Sequence, residues 1–195
     1  MWEKLKRIWS EATQTRPRSA KPLPQVTPKT QRAWTSKQKL RLAAEKVVLD
    51  SEASQFSFHE PKVPVKAYVS GWIETADGHR YELRVLLGPD FPDKMPHLFV
   101  TSPRRVPKYG GGFINSNRFS HKWHTNGKGP NGCVEICHCK KSLWDPSRNI
   151  NSVLIKGAIW CEGHRHHMKA GDSIAHFLDE LKDQLPDDLD NFKPH

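Results

Sequence analysis

The chain has 195 residues, four cysteines and a formal net charge of +10, which suits one packed domain of about 150 residues with an appendage. It contains no run of roughly 20 apolar residues that would cross a membrane and no N-terminal apolar core of a signal peptide. The four cysteines are bunched between positions 133 and 161 rather than spread as in a secreted disulfide framework, so we expect a cytoplasmic protein whose thiols are free or metal-bound.

Residues 1–35 are predicted to be a basic, proline-containing N-terminal extension and linker. Eight Lys or Arg stand there against two Glu, a net charge of +6, which leaves +4 for the other 160 residues. Apolar side chains at helical spacing in residues 1–12 are typical of a weakly ordered end or of a short partner-binding or membrane-surface helix. Basic proteins often bind nucleic acid. Here the excess lies in a tail and no base-reading module is evident, so we do not expect a nucleic-acid partner.

The part of the chain after this extension is predicted to begin with a helix and a short antiparallel sheet. Residues 36–49 carry a capping serine and apolar side chains at helical spacing. Residues 50–64 are expected to be irregular. Residues 65–73 and 81–87 flank an Asp-Gly turn, which predicts a β-hairpin. A proline-rich turn then precedes a third predicted strand at 97–102.

The second half is predicted to be a long loop followed by helices. Residues 103–149 show almost no periodicity, and irregular segments of that length are usually functional or disordered. Residues 149–162 and 172–185 repeat apolar side chains at helical spacing, and 186–195 form an acidic tail. The sequence thus predicts an α+β domain at 36–185 with an N-terminal helix, a small antiparallel β-meander, a long active-site loop and C-terminal helices.

Residues 121–146 of this loop hold most of the reactive side chains. Three of the four cysteines and three histidines lie there among Gly and Asn. A loop held between regular elements can expose a thiol and still fix its position, which a reactive cysteine requires. Cys161 falls on an apolar helix face and is expected in the core, and the histidines at 164–167 are expected to be solvated. No phosphate-binding Gly-Lys-Ser/Thr motif is present, so we expect no cofactor.

The order of elements and several local motifs resemble the ubiquitin-conjugating enzymes over about residues 36–181. Tyr81 to Leu87, followed by Phe91-Pro-Asp-Lys-Met-Pro96, resembles the family's strand and its Tyr-Pro…Pro turn. His124-Thr-Asn126 resembles its His-Pro-Asn motif, and Cys133-Val-Glu-Ile136 resembles the segment that begins at its catalytic cysteine. Trp144-Asp-Pro146 resembles its Trp-Ser-Pro. Thr125 replaces the family's proline, and Asn126 lies seven residues before Cys133, one fewer than usual. The histidine-rich end is similar to divergent bacterial conjugating-like proteins of antiviral defence operons.

The resemblance implies a cysteine-dependent acyltransferase. In such an enzyme Cys133 accepts the C-terminal acyl group of a ubiquitin-like modifier, or of another protein, from an activating enzyme as a thioester and passes it to an amine on a target protein. Asn126 is the expected oxyanion-stabilising or loop-ordering group, and His124 is a loop brace. Asp145 is expected at the rim of the cysteine groove, where it would position or deprotonate the attacking lysine.

Three alternatives stay open for the cysteine loop. Cys137 follows an isoleucine, as the catalytic cysteine of the family often does, and lies seven residues before Trp144. It therefore rivals Cys133 as the nucleophile. The three loop cysteines and their neighbouring histidines are also residue types that bind zinc, although the spacing Cys-x3-Cys-x-Cys is not the usual Cys-x2-Cys. A catalytically inactive scaffold or interaction domain is the third alternative.

Overall fold

The computed structural model describes residues 33–127 and 129–182, without the side chain of residue 182. Most of the predicted extension at 1–35 and the whole predicted tail at 186–195 lie outside these residues. Among the helices described, none combines the length and the apolarity that a membrane crossing requires.

A seven-stranded antiparallel sheet forms the centre of the described chain. Its strands are Phe56–His59 (β1), Tyr68–Glu74 (β2), Arg80–Leu86 (β3), His97–Ser102 (β4), Phe119–Ser120 (β5), Thr125–Asn126 (β6) and Val134–Ile136 (β7), in the spatial order β1-β2-β3-β4-β7-β6-β5. β7 pairs with β4, with Leu98 opposite Ile136. After β4 the chain forms β5 and β6 on the far side and then returns with the cysteine segment as β7, which lies between β4 and β6.

The predicted α+β class with an antiparallel sheet is confirmed, but the sheet is larger than predicted. The three predicted strands overlap β2, β3 and β4. The other four strands were not predicted. β5 and β6 have two residues each and β7 has three, which is too short for an alternating pattern to stand out. The segment 103–149, predicted to be irregular, thus supplies three strands.

Three helices complete the described part: Ser36–Glu52 (α1), Ile150–Ala170 (α2) and Ile174–Lys182 (α3). α1 is capped by Thr35, whose side chain and that of Gln38 form a reciprocal capping box. α2 continues to Ala170, beyond the predicted end at 162. Gly163 lets α3 pack closely on this added part of α2, because a Cβ there would lie 2.8 Å from Phe177 Cδ1 of α3.

α2 packs closely against the inner face of the sheet. Leu83, Leu98 and Leu154 are fully buried between the two layers. The helix approaches the sheet most closely at Gly157, where an added Cβ would lie 2.7 Å from Leu83 Cδ1. Burial of such side chains contributes roughly 2 kcal/mol each, so this layer fixes the sheet that carries the cysteine segment.

The outer face of the sheet carries polar side chains that are nevertheless buried. The register places Arg84 opposite Phe99 and Phe99 opposite Glu135, and all three are buried. Cys133 lies two residues before Glu135 in extended backbone, with φ −69° and ψ 143°. Alternation along an extended segment therefore puts the Cys133 side chain on this face.

Candidate active site

A tight turn delivers Cys133 to the sheet. Pro130–Gly132 form one turn of 3-10 helix, and the Cys133 N–H donates to the Pro130 carbonyl at 3.0 Å. Asn131 and Gly132 have positive φ values of 56° and 81°, which Asn and Gly tolerate. Gly129 packs on the cysteine backbone, since a Cβ there would lie 1.5 Å from the Cys133 carbonyl oxygen. The Gly/Asn richness of the loop thus has a steric cause.

The Cys133 thiol is less accessible than expected from the sequence, because the residue is only 5% exposed. Burial raises the pKa of the thiol, since a thiolate loses hydration there. Arg104 and Arg84 act in the opposite direction, and Glu82 adds to the rise in pKa. The thiol is therefore neutral at pH 7 in this structure, with two arginines near enough to favour its ionised form.

Arg84 is a buried cation with unused hydrogen-bonding capacity. Its guanidinium carbon lies 4.5 Å from the Tyr68 ring centroid, and its Nη2 lies 3.9 Å from Glu82 Oε1. Glu82 Oε2 accepts from the Thr101 hydroxyl at 2.7 Å. Arg84 Nε is buried without a hydrogen-bond partner in the described part of the chain. A buried donor left unpaired is costly, so Arg84 is a candidate for contact with a reacting group.

Asn126 and Glu135 link β6 to β7. Asn126 Nδ2 donates to Glu135 Oε1 at 3.2 Å, and His97 Nδ1 lies 2.8 Å from the same oxygen. Burial opposes ionisation of Glu135, but the hydrogen bonds from His97 and Asn126 outweigh it and lower the pKa of the carboxyl group. The contact of Asn126 is that of a loop-ordering residue, and its amide donor is directed at Glu135.

His124 braces the loop through its backbone. It has a positive φ of 47°, its N–H donates to the His121 carbonyl at 3.1 Å, and its own carbonyl accepts from Cys137 N–H at 2.8 Å. These bonds join the segment before β6 to the segment after β7. The role of loop brace expected from the sequence has a geometric basis here.

Asp145 lies in the exposed loop before α2. Its Oδ1 accepts from Ser147 N–H at 2.8 Å, and this hydrogen bond is the main cause that lowers the pKa of the carboxyl group, with Arg148 and Arg41 adding to it. No described contact joins Asp145 to Cys133. The neighbouring Trp144 is fixed by its Nε1, which donates to the Pro92 carbonyl at 2.8 Å.

The other cysteines differ in environment. Cys161 is fully buried in the core, as predicted. Cys137 is partly buried, and burial raises the pKa of its thiol, with Cys139 and Glu135 adding to the rise. Cys139, which was not predicted as the nucleophile, has Arg148 Nη1 3.9 Å from its sulfur. The sequence carried no signal for this pair, because Arg148 lies in the loop before α2 and approaches Cys139 only in the folded chain.

The cysteines and histidines of the loop do not converge on a metal position. Within 33–127 and 129–182 no three His, Cys, Asp or Glu side chains are grouped as metal ligands. His138 is buried, with Nε2 2.9 Å from the Pro96 carbonyl, and burial lowers its pKa to about 4. The described geometry therefore gives the zinc alternative no support.

Two of the histidines at 164–167, His164 and His167, are buried rather than solvated, which corrects the expectation from the sequence. His164 Nε2 donates to the Pro107 carbonyl at 2.9 Å, and its Nδ1 accepts from the Tyr81 hydroxyl at 2.6 Å. His167 Nε2 accepts from the Tyr109 N–H at 3.0 Å. These histidines anchor the segment after β4 to α2. They were mispredicted because only a helix longer than the one predicted buries them.

No family model, curated protein or solved structure matches this chain. Its function must therefore be inferred from the contacts around Cys133 and from the order of its motifs.

Proposed function

We propose that this chain is a cysteine-dependent conjugating enzyme of the ubiquitin-conjugating type, acting in bacterial antiviral defence. Cys133 accepts a modifier C-terminus as a thioester from an activating enzyme and transfers it to an amine on a target protein. The observation that carries the proposal is the placement of Cys133 directly after a tight turn, under the influence of Arg84 and Arg104. Trp144 and Pro92, from two family-like motifs, are also in contact.

The chemistry runs through two exchanges at one sulfur. The Cys133 thiol first gives its proton to solvent. Its thiolate then attacks the carbonyl of the activating enzyme's thioester, and the activating enzyme's thiolate leaves and takes up a proton from solvent. The target amine then attacks the new thioester, loses a proton, and releases the Cys133 thiolate. Each attack creates an oxyanion, and a well-placed donor is often worth about 3 kcal/mol to such a transition state. Arg84 and Arg104 supply positive charge for the thiolate and for that oxyanion.

The remaining residues support this centre. Asn126 orders the loop through Glu135, and His124 joins the strands on either side of the cysteine. Asp145, exposed beside Trp144, positions the incoming lysine. Since Cys133 is buried at rest, the turn that precedes it moves when the activating enzyme binds, which gives the carbonyl access to the sulfur and keeps the unloaded thiol protected.

The test is loading of the purified chain by an activating enzyme and its modifier, with ATP. We expect an adduct that survives a non-reducing gel and is released by a thiol. Cys133→Ala should abolish it, and Cys137→Ala, which removes a partly buried thiol four residues away, should leave it intact. An adduct that persists in Cys133→Ala would contradict the assignment of the nucleophile.

A catalytically inactive scaffold is the second candidate, and the burial of Cys133 is the observation that favours it. An inactive scaffold would bind the activating enzyme without ever exposing the thiol. Alkylation of Cys133 by iodoacetamide, measured by mass spectrometry with and without the activating enzyme, separates the two. The conjugating enzyme is labelled faster in the complex, and the scaffold stays unlabelled in both.

A further inference from the structure

A preformed cleft lies beside Cys133. It has a volume of about 440 Å³, and its walls include Arg104, Arg105, Phe113, Ser116 and Gly132. Cys133 is not among the lining residues, but Gly132, which directly precedes it, is, so the backbone of the cysteine begins one residue, or roughly 3.5 Å, from the cleft wall. The cleft is thus placed to hold the chain that delivers a carbonyl to the sulfur.

The outer wall of the cleft is a small hairpin that is tied down at both ends. The Ile114 N–H donates to the Val106 carbonyl at 2.9 Å, and Pro107 forms an isolated bridge with Phe113. On the other side, the Gly129 N–H donates to the Ser116 carbonyl at 3.2 Å. With the anchoring of the hairpin to α2 by buried histidines, these bonds hold the cleft open without a ligand.

The cleft is strongly positive. Between Asp93 and Glu135 the sequence contains seven Lys or Arg and no Asp or Glu. Arg104 uses Nε to donate to the Asn131 carbonyl at 2.5 Å, and no other hydrogen bond or ion pair of this side chain occurs among the described residues. Arg105 stacks on Phe113, with its guanidinium carbon 4.0 Å from the ring centroid. Both guanidinium groups therefore keep donors for an anionic ligand.

The aromatic rings of this surface favour a peptide over single-stranded nucleic acid. Base stacking needs free ring faces. One face of Phe113 is covered by Arg105. The Tyr109 ring packs against His167 and lies 3.1 Å from the Cβ position of Gly171. Tyr109 and Phe113 are otherwise exposed, but Phe113 is the one aromatic side chain among the residues that line the cleft. The cleft therefore supplies charge and a single ring, whereas single strands stack on successive rings.

We propose that this cleft binds an acidic peptide segment of the protein whose C-terminal carbonyl is delivered to Cys133. The inference rests on the proposed function and adds the kind of protein tail that the site selects, namely an acidic one. Arg104 and Arg105 pair with carboxylates of the segment, and Gly132 leaves space for its backbone to pass toward the sulfur. A neutral donor tail loses these charge-assisted hydrogen bonds and binds less tightly.

The test uses the full chain and two labelled octapeptides, one alternating Glu with Gly and one alternating Gln with Gly. Fluorescence anisotropy should show the Glu peptide binding about tenfold more tightly, a preference lost in Arg104→Gln/Arg105→Gln. Lys37→Gln/Lys39→Gln is the matched control, because it removes the same charge from exposed positions on α1. Cys133→Ala should bind the Glu peptide normally, since binding needs no thiol.

Equal binding of the two peptides, or the same loss in both double variants, would overturn the cleft proposal. Tighter binding of a short oligothymidylate, lost only in the Arg104/Arg105 variant, would replace it with a nucleic-acid site. Loading of Cys133 separates this proposal from the proposed function. If a thioester forms but the Glu peptide binds no more tightly than the Gln peptide, the cleft proposal fails alone; if the Glu peptide binds preferentially but no thioester forms, the conjugating activity fails alone.

Discussion

Replacement of His164 should change how the stability of the protein depends on pH. The His164 side chain is 1% exposed, and both of its ring nitrogens are used, one by the Pro107 carbonyl and one by the Tyr81 hydroxyl. Burial lowers its pKa from 6.5 to about 4, with Arg165 and His167 adding to the fall. The folded state therefore holds a neutral imidazole where the unfolded chain takes up a proton.

Proton linkage determines the direction and the size of this pH dependence of stability. Between pH 6.5 and about 4 the unfolded state binds the extra proton at this site, so the free energy of unfolding falls as the pH falls. A shift of one pKa unit corresponds to about 1.4 kcal/mol. The lowered pKa of His164 therefore reduces the free energy of unfolding by about 3 kcal/mol as the pH falls through this window. Stability attributable to His164 is fully present above pH 6.5. A loss of that size is a large share of the 5–15 kcal/mol typical of a domain.

Urea unfolding followed by tryptophan fluorescence, repeated from pH 4.5 to 7.5, measures this dependence. Wild type should lose stability more steeply toward acid than His164→Gln, by up to about 1.4 kcal/mol per pH unit. Glutamine can still donate to Pro107 and accept from Tyr81. His176→Gln, at an exposed position, is the control and should follow the wild-type slope. Equal slopes for wild type and His164→Gln would refute the reasoning, whatever the absolute stability of the variant.

Three further changes test other parts of the fold and site. Gly157→Ala should lower the free energy of unfolding by about 1–3 kcal/mol, because its Cβ would lie 2.7 Å from Leu83 Cδ1; a stabilised variant in urea titrations would contradict this packing. Glu45→Ala should cost about 3–5 kcal/mol, because the buried carboxylate accepts from Arg41 Nε at 2.6 Å and Ile150 N–H at 2.7 Å; a loss under about 1 kcal/mol would count against that pair. Arg84→Met should slow iodoacetamide labelling of Cys133 at pH 8 several-fold relative to Arg84→Lys, because it removes a charge that favours the thiolate; equal rates in two folded variants would remove Arg84 from the site.

The longer elements were predictable from the sequence because their patterns are local. The strand His97–Ser102 (β4) was predicted with its observed bounds. α1 was predicted close to its observed bounds, but its N-cap is Thr35 and not the predicted Ser36. β5, β6 and β7 escaped prediction because two or three residues carry no periodicity. They are stabilised by their pairing with neighbouring strands and with β4, which is a property of the fold.

Proximity was the least predictable feature of the candidate site. The motif order identified Cys133, Asn126 and His124, and their segments are joined by hydrogen bonds across β6 and β7. The influence of Arg84 on the thiol was not predictable, because Arg84 lies 49 positions before Cys133 in the sequence and reaches it only through the sheet register. The burial of the thiol was missed because it too depends on the folded sheet and not on the local sequence.

The most direct measurement is peptide mapping by mass spectrometry of the loaded wild-type chain, digested at low pH without reducing agent. We expect the modifier's C-terminal residues attached to the peptide that contains Cys133, with Cys137 and Cys139 unmodified. Attachment at Cys137 or Cys139, or an unmodified chain after incubation with a working activating enzyme, modifier and ATP, would contradict the assignment of Cys133 as the thioester-forming residue.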